Sequence, residues 1–351
     1  MGHTLILKYD GSLWATGDNM FGQLGVDSRN ETTITNFIEV VSGGVKAVAT
    51  GSGHTLVLKK DSSVWSVGRN FFGQLGDGSN DNKKSFVQVI PSHAKAVAVG
   101  EHHSLVVMKD DNLWATGANV YGQLGDNSTS PRNIFVQVIF DGCVEAVAAG
   151  SEHSMVLKED GSVWAAGSNW NGQIGTGSAN IMTNFVQVIP NGVKAIDAGG
   201  HYSMVLKKDG SVWSTGDNTY GQLGDGTKKT RTEFVKVISV GTKAIASGYD
   251  HSVVLKQLGS IWATGRNNFG QLGAGATEST SIFVPVISKN VLHVAAGNWH
   301  SVVIKQDGSV WATGANVHGQ LGDGSTFNKR EYVRVLQLNV GAWCTLLWLS
   351  D

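Results

Sequence analysis

The stretch that decides the fold is Asp209–Gly226, D-G-S-V-W-S-T-G-D-N-T-Y-G-Q-L-G-D-G. Variants of it recur with their tryptophans 49 to 51 residues apart, at Trp14, Trp65, Trp114, Trp164, Trp213, Trp262 and Trp311. Self-similarity at a fixed period of this length is the signature of a repeat architecture. Seven copies fill the chain, so we expect residues 1–351 to form a single domain of seven repeats.

Each repeat contains four short segments that are β-branched or alternate between apolar and polar residues, and Gly or D-G turns separate them. In the fourth repeat they are V-E-A-V-A, H-S-M-V-L-K, S-V-W-A and F-V-Q-V-I, within residues 144–189. Four antiparallel strands per period of about 50 residues predict one propeller blade. The sequence therefore predicts an all-β fold, a seven-bladed β-propeller with four antiparallel strands per blade. Because strands near the axis are crowded, we expect the small V-A-A segments to be innermost and the F-V-Q segments outermost.

The two ends of the chain predict how the ring closes. The chain opens at His3 with a second strand and no first strand precedes it, while Leu336–Gly341 stands where a first strand belongs. We expect one blade to combine strands from the N- and C-termini. Cys344–Leu349, within residues 343–351, matches a further second strand of uncertain placement. It could displace the N-terminal copy, pack elsewhere, or indicate a chain cut from a longer array.

Composition excludes several functional classes. The 351 residues include only 2 Cys, too few for a disulfide scaffold, and the formal net charge of −1 gives no overall attraction to nucleic acid. No apolar run is long enough for a membrane-spanning helix. We therefore expect no membrane, nucleic-acid or small-molecule partner. The unremarkable cysteines favour a reducing compartment, hence an intracellular protein, cytoplasmic or nuclear.

A histidine lies eleven residues before most of the repeat tryptophans, and a tyrosine takes its place in the fifth repeat. These residues are His3, His54, His103, His153, Tyr202, His251 and His300. Zinc requires ligands that converge on one point, whereas residues from different blades are spread around a ring. We expect each side chain to hold its own hairpin by a hydrogen bond, with no metal. No catalytic set and no cofactor motif is present, so we predict a protein that is not an enzyme.

The two residues before each of these positions differ from copy to copy and are expected to surround the axis on one face. Acidic, aromatic and histidine side chains among them suit a protein interface. The alternative is an ordinary polar loop. The predicted partner-binding residues are Glu101, His102, Glu152, His201, Tyr249, Asp250 and Trp299.

The repeated motifs G-x-x-H-S/T, D-G-S-x-W and G-x-N-x-x-G-Q-L-G-D-G resemble those of the regulator of chromosome condensation repeat family, over essentially the whole chain. The resemblance implies a seven-bladed propeller. Members of the family include an exchange factor for a Ran-type GTPase, in which acids and a histidine of the matching loops contact the partner. The matching positions here are Glu101, Glu152, Asp250 and His201. That exchange factor also uses an inserted β-wedge, for which the spacing of this chain leaves no room.

Three hypotheses for the function follow. The first is a non-enzymatic module that binds a protein partner on the face formed by the G-x-x-H and G-Q-L-G-D-G loops. The second is a guanine-nucleotide exchange factor for a Ran-type small GTPase. The third is a structural or assembly domain of a larger protein.

Overall fold

Strands and glycine-rich turns make up the whole of the fold in the computed structural model, which describes residues 2–26, 31–139, 141 and 143–338. The described residues form strands β1 to β27 in seven antiparallel sheets and contain no helix. Consequently no helix in this part of the chain could cross a membrane. The predicted all-β, seven-bladed propeller is confirmed.

The strands fall into four classes by their place in the blade. The innermost strands are β4 (Val45–Thr50), β8 (Ala94–Val99), β12 (Val144–Ala149), β16 (Val193–Ala198), β20 (Thr242–Ser247) and β24 (Val291–Ala296). The second strands are β1 (His3–Leu7), β5 (His54–Lys59), β9 (His103–Met108), β13 (His153–Lys158), β17 (Tyr202–Lys207), β21 (His251–Lys256) and β25 (His300–Lys305). The third strands are β2 (Leu13–Asp18), β6 (Val64–Gly68), β10 (Leu113–Gly117), β14 (Val163–Gly167), β18 (Val212–Gly216), β22 (Ile261–Gly265) and β26 (Ser309–Gly314). The outermost strands are β3 (Thr33–Val41), β7 (Lys83–Ile90), β11 (Arg132–Ile139), β15 (Met182–Ile189), β19 (Arg231–Ile238), β23 (Thr280–Ile287) and β27 (Lys329–Gln337).

Blades follow the chain, with blade 1 made of β1–β3, blade 2 of β4–β7 and so on to blade 7 of β24–β27. Blades 2 to 7 each have four strands, and the described part of blade 1 has three. Ends of the innermost strands, such as Val99, Ala149 and Ala296, line a cavity on the axis. The predicted order from axis to rim is therefore confirmed, because only small side chains fit where the strands crowd together.

Closure of the ring differs in register from the sequence prediction. Leu336 and Gln337 belong to β27 at the rim, not to an innermost strand. The innermost position begins at Leu338, whose N–H donates to the carbonyl of Gly308 at 3.0 Å. The N–H of Val291, at the start of the innermost strand of blade 7, donates in the same way to the carbonyl of Gly259 in blade 6, at 3.0 Å. Buried Leu338 packs with Ile6 of blade 1. The rest of the predicted closing strand, and the extra strand predicted within residues 343–351, lie outside the described residues.

The repeat tryptophans are packing residues. Trp213 of blade 5 packs on the cluster that contains Val163 and Ala165 of blade 4, so each indole faces the preceding blade. Its Nε1–H donates to the Ser211 hydroxyl at 3.1 Å, and the Lys207 ammonium lies 4.3 Å from the ring centre. The indole thus combines apolar burial with a cation–π contact.

A belt of hydrogen bonds joins the blades, and its members are His3, His54, His103, His153, Tyr202, His251 and His300. We call these residues the histidine belt. His153 Nε2 lies 2.9 Å from the Ser203 hydroxyl of blade 5, and that hydroxyl donates to the main-chain oxygen of Gln173 at 2.6 Å. The predicted bond within the same hairpin is wrong, because the partner belongs to the next blade. His300 closes the ring by the same contact with Thr4 of blade 1, at 2.8 Å.

The direction of these bonds and the burial of the rings together determine the charge of the belt. A serine hydroxyl has one hydrogen and gives it to the glutamine carbonyl, so the histidine must donate from Nε2–H. Nδ1 of each belt histidine is buried without a partner among the described residues, so a proton on Nδ1 would have no acceptor. Burial lowers the pKa of His103, His153 and His251 to about 3. The belt histidines are therefore neutral across the physiological range.

Tyr202 keeps the connection between blades by another route. Its hydroxyl donates to the main-chain oxygen of His251 in blade 6 at 2.5 Å and lies 2.9 Å from the Ser252 hydroxyl. In the same blade, buried Asp197 accepts the N–H of Ser247 of blade 6 at 2.6 Å. Blade 5 therefore departs from the other copies at two positions on its boundary with blade 6.

In blades 2 to 7, the glycine three residues before the belt residue makes room for its ring. A Cβ on Gly150 would lie 2.3 Å from Cε1 of His153 and 2.5 Å from the carbonyl oxygen of Gly199, although the φ of Gly150 is outside the left-handed region. The glycine is thus required by a close approach and not by its backbone conformation.

We predict that Gly150→Ala lowers the free energy of unfolding by about 2–3 kcal/mol, the usual cost of overpacking. Gly43→Ala is the matched control, because Gly43 also has an ordinary φ and only Asp10 O lies near its Cβ position, at 3.9 Å. We expect that control to change stability by less than about 0.5 kcal/mol. Urea unfolding checks both variants, and equal midpoints for the two would contradict the steric account.

We also predict that stability falls as the pH drops below about 6.5. The native pKa of the belt histidines lies below that of the unfolded chain, so the unfolded state binds the extra protons and gains from acid. Each belt histidine contributes a loss of about 1.4 kcal/mol per pH unit below that point. Asp197 opposes this trend, because burial raises its pKa to about 7 and the native state holds its proton more tightly.

The measurement is the free energy of unfolding from urea titrations at pH 8, 7, 6 and 5. A flat profile from pH 7 to pH 5 would show that the histidines bind protons in the native state and would overturn the neutral belt.

Candidate functional site

Two sets of loops share one face of the ring, which we call the loop face. The first set, the pre-histidine loops, consists of the two residues before each belt residue. The second set follows the third strand of each blade and carries the G-Q-L-G motif. The rings of Phe72 and His102 lie 5.1 Å apart, and those of Phe269 and Trp299 lie 5.9 Å apart, so the two sets touch, as predicted.

The pre-histidine loops surround the mouth of the central channel. They contribute Ser52, Glu101, Ser151, Gly200, Tyr249 and Asn298 to a cavity that opens to solvent. Asn298 Nδ2 of blade 7 donates weakly to the Ser52 hydroxyl of blade 2, at 3.4 Å. This contact passes over blade 1, where only Gly2 precedes the belt residue among the described residues.

One side of the mouth is acidic. His102 Nε2 lies 3.4 Å from a carboxylate oxygen of Glu101. Burial raises the pKa of Glu152, the nearby His201 opposes that rise, and Glu101 adds to it. Within the described ranges no lysine or arginine forms an ion pair with Glu101 or Glu152. Two carboxylates thus stand at the mouth with only histidines to compensate them.

The opposite side of the mouth is aromatic. The Tyr249 hydroxyl lies 3.3 Å from His201 Nε2, and the two rings meet edge to face with centroids 5.7 Å apart. The Tyr249 and Trp299 ring centroids are 6.3 Å apart, and the Trp299 ring also contacts the ring of Phe269. Pre-histidine loops of three successive blades therefore contribute to one aromatic cluster, and its side chains are only partly buried.

Asp250 anchors this cluster from below. Its carboxylate is buried and lies 3.2 Å from Nη1 of Arg266. Burial raises the pKa of Asp250, while the Arg266 guanidinium opposes the rise. The same guanidinium stacks on Tyr220 and Phe269, with its carbon 4.7 and 5.8 Å from the ring centres. The ion pair thus fixes an arginine between two aromatic rings.

All seven predicted partner-binding residues lie on the loop face. The structure brings His201, Tyr249, Asp250 and Trp299 into one network with Arg266, and it places Glu101 with His102. Among the described residues, no group of three or more His, Cys, Asp or Glu side chains could hold a metal ion. Charged groups beside partly exposed aromatic rings suit the recognition of another protein surface.

Sequence reasoning missed an apolar ring on this face. The residue after the asparagine of G-x-N is a large hydrophobe in five repeats and is 55–63% exposed in each of them. These residues are Met20, Phe71, Val120, Trp170 and Val317, and we call them the apolar collar. Their signal in the sequence was a hydrophobe recurring at a loop position where solvent exposure is expected.

Charged side chains of the outer loops form ion pairs with each other. Asn218 accepts the N–H of Leu223 at 3.1 Å and donates to Asp225 at 3.0 Å, and Arg231 pairs with Asp225. The same pairing recurs in three other copies, as Lys83–Asp77, Arg132–Asp126 and Lys329–Asp323. The basic residues that follow G-Q-L-G are thus partly neutralised within the loops.

The fold and the loop motifs define a repeat propeller, and comparison with known families agrees. The regulator of chromosome condensation (RCC1) repeat matches residues 10–58, 61–107, 110–157, 209–255 and 259–304. A second description of the same repeat matches six stretches between residues 45 and 320, which overlap with these. The chain belongs to the regulator of chromosome condensation repeat family.

Individual relatives share parts of the sequence or the fold. The Protein RCC2 homolog of Xenopus laevis is 38% identical over 78 residues, which are 22% of this chain and 15% of that protein. The crystal structure of human WBSCR16 superimposes with a TM-score of 0.83 at 24% identity, covering 93% of this chain and 95% of the other.

The structure of Prp20p from Saccharomyces cerevisiae, described with its binding to Gsp1p and histones, gives a TM-score of 0.81 at 21% identity over 95% of this chain and 86% of the other. At these identities the two solved structures show the fold alone.

Proposed function

We propose that this chain is a non-enzymatic module that binds a protein partner on its loop face. The observation that supports this most is the aromatic cluster of His201, Tyr249 and Trp299 at the channel mouth, contributed by three neighbouring blades. Such side chains offer a large contact area and lose little conformational entropy when a partner binds. The buried Asp250–Arg266 pair beneath them keeps the cluster in place before any partner arrives.

The site fits a protein better than a small molecule. The mouth is open to solvent, and the apolar collar adds exposed hydrophobic side chains on the same face, whereas small ligands are usually enclosed in a concave apolar pocket. The predicted absence of catalysis, metal and cofactor stays part of the proposal, as does an intracellular place of action, cytoplasmic or nuclear. The third hypothesis, a structural or assembly domain of a larger protein, stays a prediction.

We predict that Tyr249→Ala combined with Trp299→Ala abolishes capture of the partner. The wild-type chain is cross-linked in a cell extract and the retained protein is identified by mass spectrometry. The binding of the purified partner is then measured, and we expect the double variant to weaken it at least about a hundredfold, as loss of two aromatic anchors does. Tyr9→Ala is the control, because Tyr9 is 70% exposed in the β1–β2 turn on the opposite face. Unchanged affinity in the double variant would remove the loop-face assignment.

Nucleotide exchange on a Ran-type GTPase is the second candidate. Family membership supports it, together with the proximity of Glu152 and Asp250 to His201, since the imidazole influences the pKa of both carboxyl groups. The loops between the third and fourth strands count against it, because none of them is long enough to contain an inserted β-wedge.

For this candidate we predict faster release of a fluorescent GDP analogue from a Ran-type GTPase in the presence of the chain. Glu152→Gln and His201→Gln should each slow that release at least about tenfold if the charges act on the GTPase. Lys208→Gln, which removes a charge on the opposite face, is the control. Release at the uncatalysed rate with the wild-type chain would eliminate exchange activity and leave the binding module standing.

A further inference from the structure

Two arginines occupy the same position in different repeats. Arg69 of blade 2 and Arg266 of blade 6 both follow the last glycine of the third strand. Each main-chain N–H donates to the carbonyl of the residue before the belt histidine, Gly53 or Asp250, at 2.8 Å. The loop backbone therefore places both arginines alike beside the pre-histidine loop.

Both guanidinium groups are also stacked alike. The Arg69 carbon lies 5.4 Å from the ring centre of Phe21 in blade 1 and 5.2 Å from that of Phe71 in its own blade. Arg266 lies between Tyr220 of blade 5 and Phe269 of its own blade. A guanidinium held against aromatic rings by cation–π contacts can still make a bidentate contact with an anion through its N–H groups.

The copies differ in the carboxylate. In blade 6 the residue before the belt histidine is Asp250, and its carboxylate pairs with Arg266. In blade 2 that residue is Gly53, which has no side chain. Within the described residues, no carboxylate forms an ion pair with Arg69, whereas Nε is buried without an acceptor in both arginines.

We propose that Arg69, Phe21 and Phe71 form a site for a carboxylate, and that its occupant is an Asp or Glu side chain of the partner protein. This inference rests on the proposed function, because it places a second contact of that partner on the loop face. Blade 6 shows that this position accepts a carboxylate, since Asp250 supplies one from within the chain and blade 2 has none there.

The surroundings favour a protein carboxylate over a free ion. Phe71 of the apolar collar contacts the guanidinium and is 55% exposed, so apolar groups flanking a partner's acid would contact its ring and exclude water. A charge-assisted hydrogen bond gains strength when water is excluded. Burial lowers the pKa of His54 and His102, and the positive charge of Arg69 adds to this lowering, so that charge acts on the pre-histidine loop and the belt.

A single substitution should fill the site from within. A Cβ on Gly53 would lie 3.3 Å from Phe21 and 3.4 Å from the Cβ of Arg69, and the φ of Gly53 is outside the left-handed region. Gly53→Asp should therefore pair with Arg69, as Asp250 pairs with Arg266, and exclude the partner's carboxylate. Gly53→Asn has the same size without the charge and is the matched control.

The first experiment uses the purified partner obtained by cross-linking. We expect Gly53→Asp and Arg69→Gln to weaken binding at least about tenfold and Gly53→Asn to weaken it clearly less. Equal loss for the Asp and Asn variants would show a steric effect and overturn the carboxylate site. Full affinity in Arg69→Gln, with affinity lost in the Tyr249 and Trp299 double variant, would refute this site and leave the proposed function intact. Full affinity in all variants would refute both.

A second experiment needs no partner. N-acetylaspartate is titrated into the isotope-labelled chain, and the Nε–H signals of Arg69 and Arg266 are followed by NMR. We expect the Arg69 signal to shift and saturate, and the Arg266 signal to respond only in Asp250→Gly. No response from Arg69, or a response to inorganic phosphate alone, would overturn the assignment of a carboxylate site.

Discussion

The hydrogen bond from a neutral histidine to a hydroxyl of the next blade is the interaction on which the rest of the structure depends. His153 to Ser203 is one example, and His300 to Thr4 repeats it where the ends of the described chain meet. The same hydroxyl donates to a carbonyl of the G-Q-L-G loop, so one small group ties a second strand, an outer loop and the neighbouring blade together. The bond requires a close approach, which is why a glycine stands three residues earlier. The two residues between that glycine and the belt residue are therefore held in corresponding places in blades 2 to 7.

Much of the fold could be predicted because its determinants are local. Strand boundaries follow from glycine turns, and the order within a blade follows from the small side chains of segments such as β12. Contacts between blades could not be predicted in this way, because they join residues about one period apart and every copy offers the same residue types. The histidine was therefore assigned to its own hairpin. Closure failed by two residues for a similar reason: the sequence shows that a strand begins near Leu336, but only the bond from Leu338 to Gly308 fixes its register.

The candidate site was predictable in position but not in composition. Differences between copies identified the pre-histidine loops, since a repeat scaffold leaves little else free to vary at the channel mouth. Their neighbours were not identified, because those come from a second set of loops that is distant in sequence. Trp299 lies against Phe269 and Asp250 against Arg266, and neither pairing has a signal at fixed spacing shared by the other copies. The apolar collar had such a signal, since a hydrophobe follows the loop asparagine in five repeats.

Charge compensation then separates framework from recognition. The aspartates that follow G-Q-L-G pair with lysine or arginine within their own loops, so they stabilise the loop and leave little net field. Asp250 is likewise matched by Arg266. Within the described part of the chain, Glu101 and Glu152 form no ion pair with a lysine or arginine and Arg69 forms none with a carboxylate, although all three lie on the loop face. An unmatched charge near an apolar surface is costly unless water or a partner solvates it. Residues for partner binding are therefore best sought among the charged side chains that the repeat leaves without an ion-pair partner, and not in the motif that the copies share.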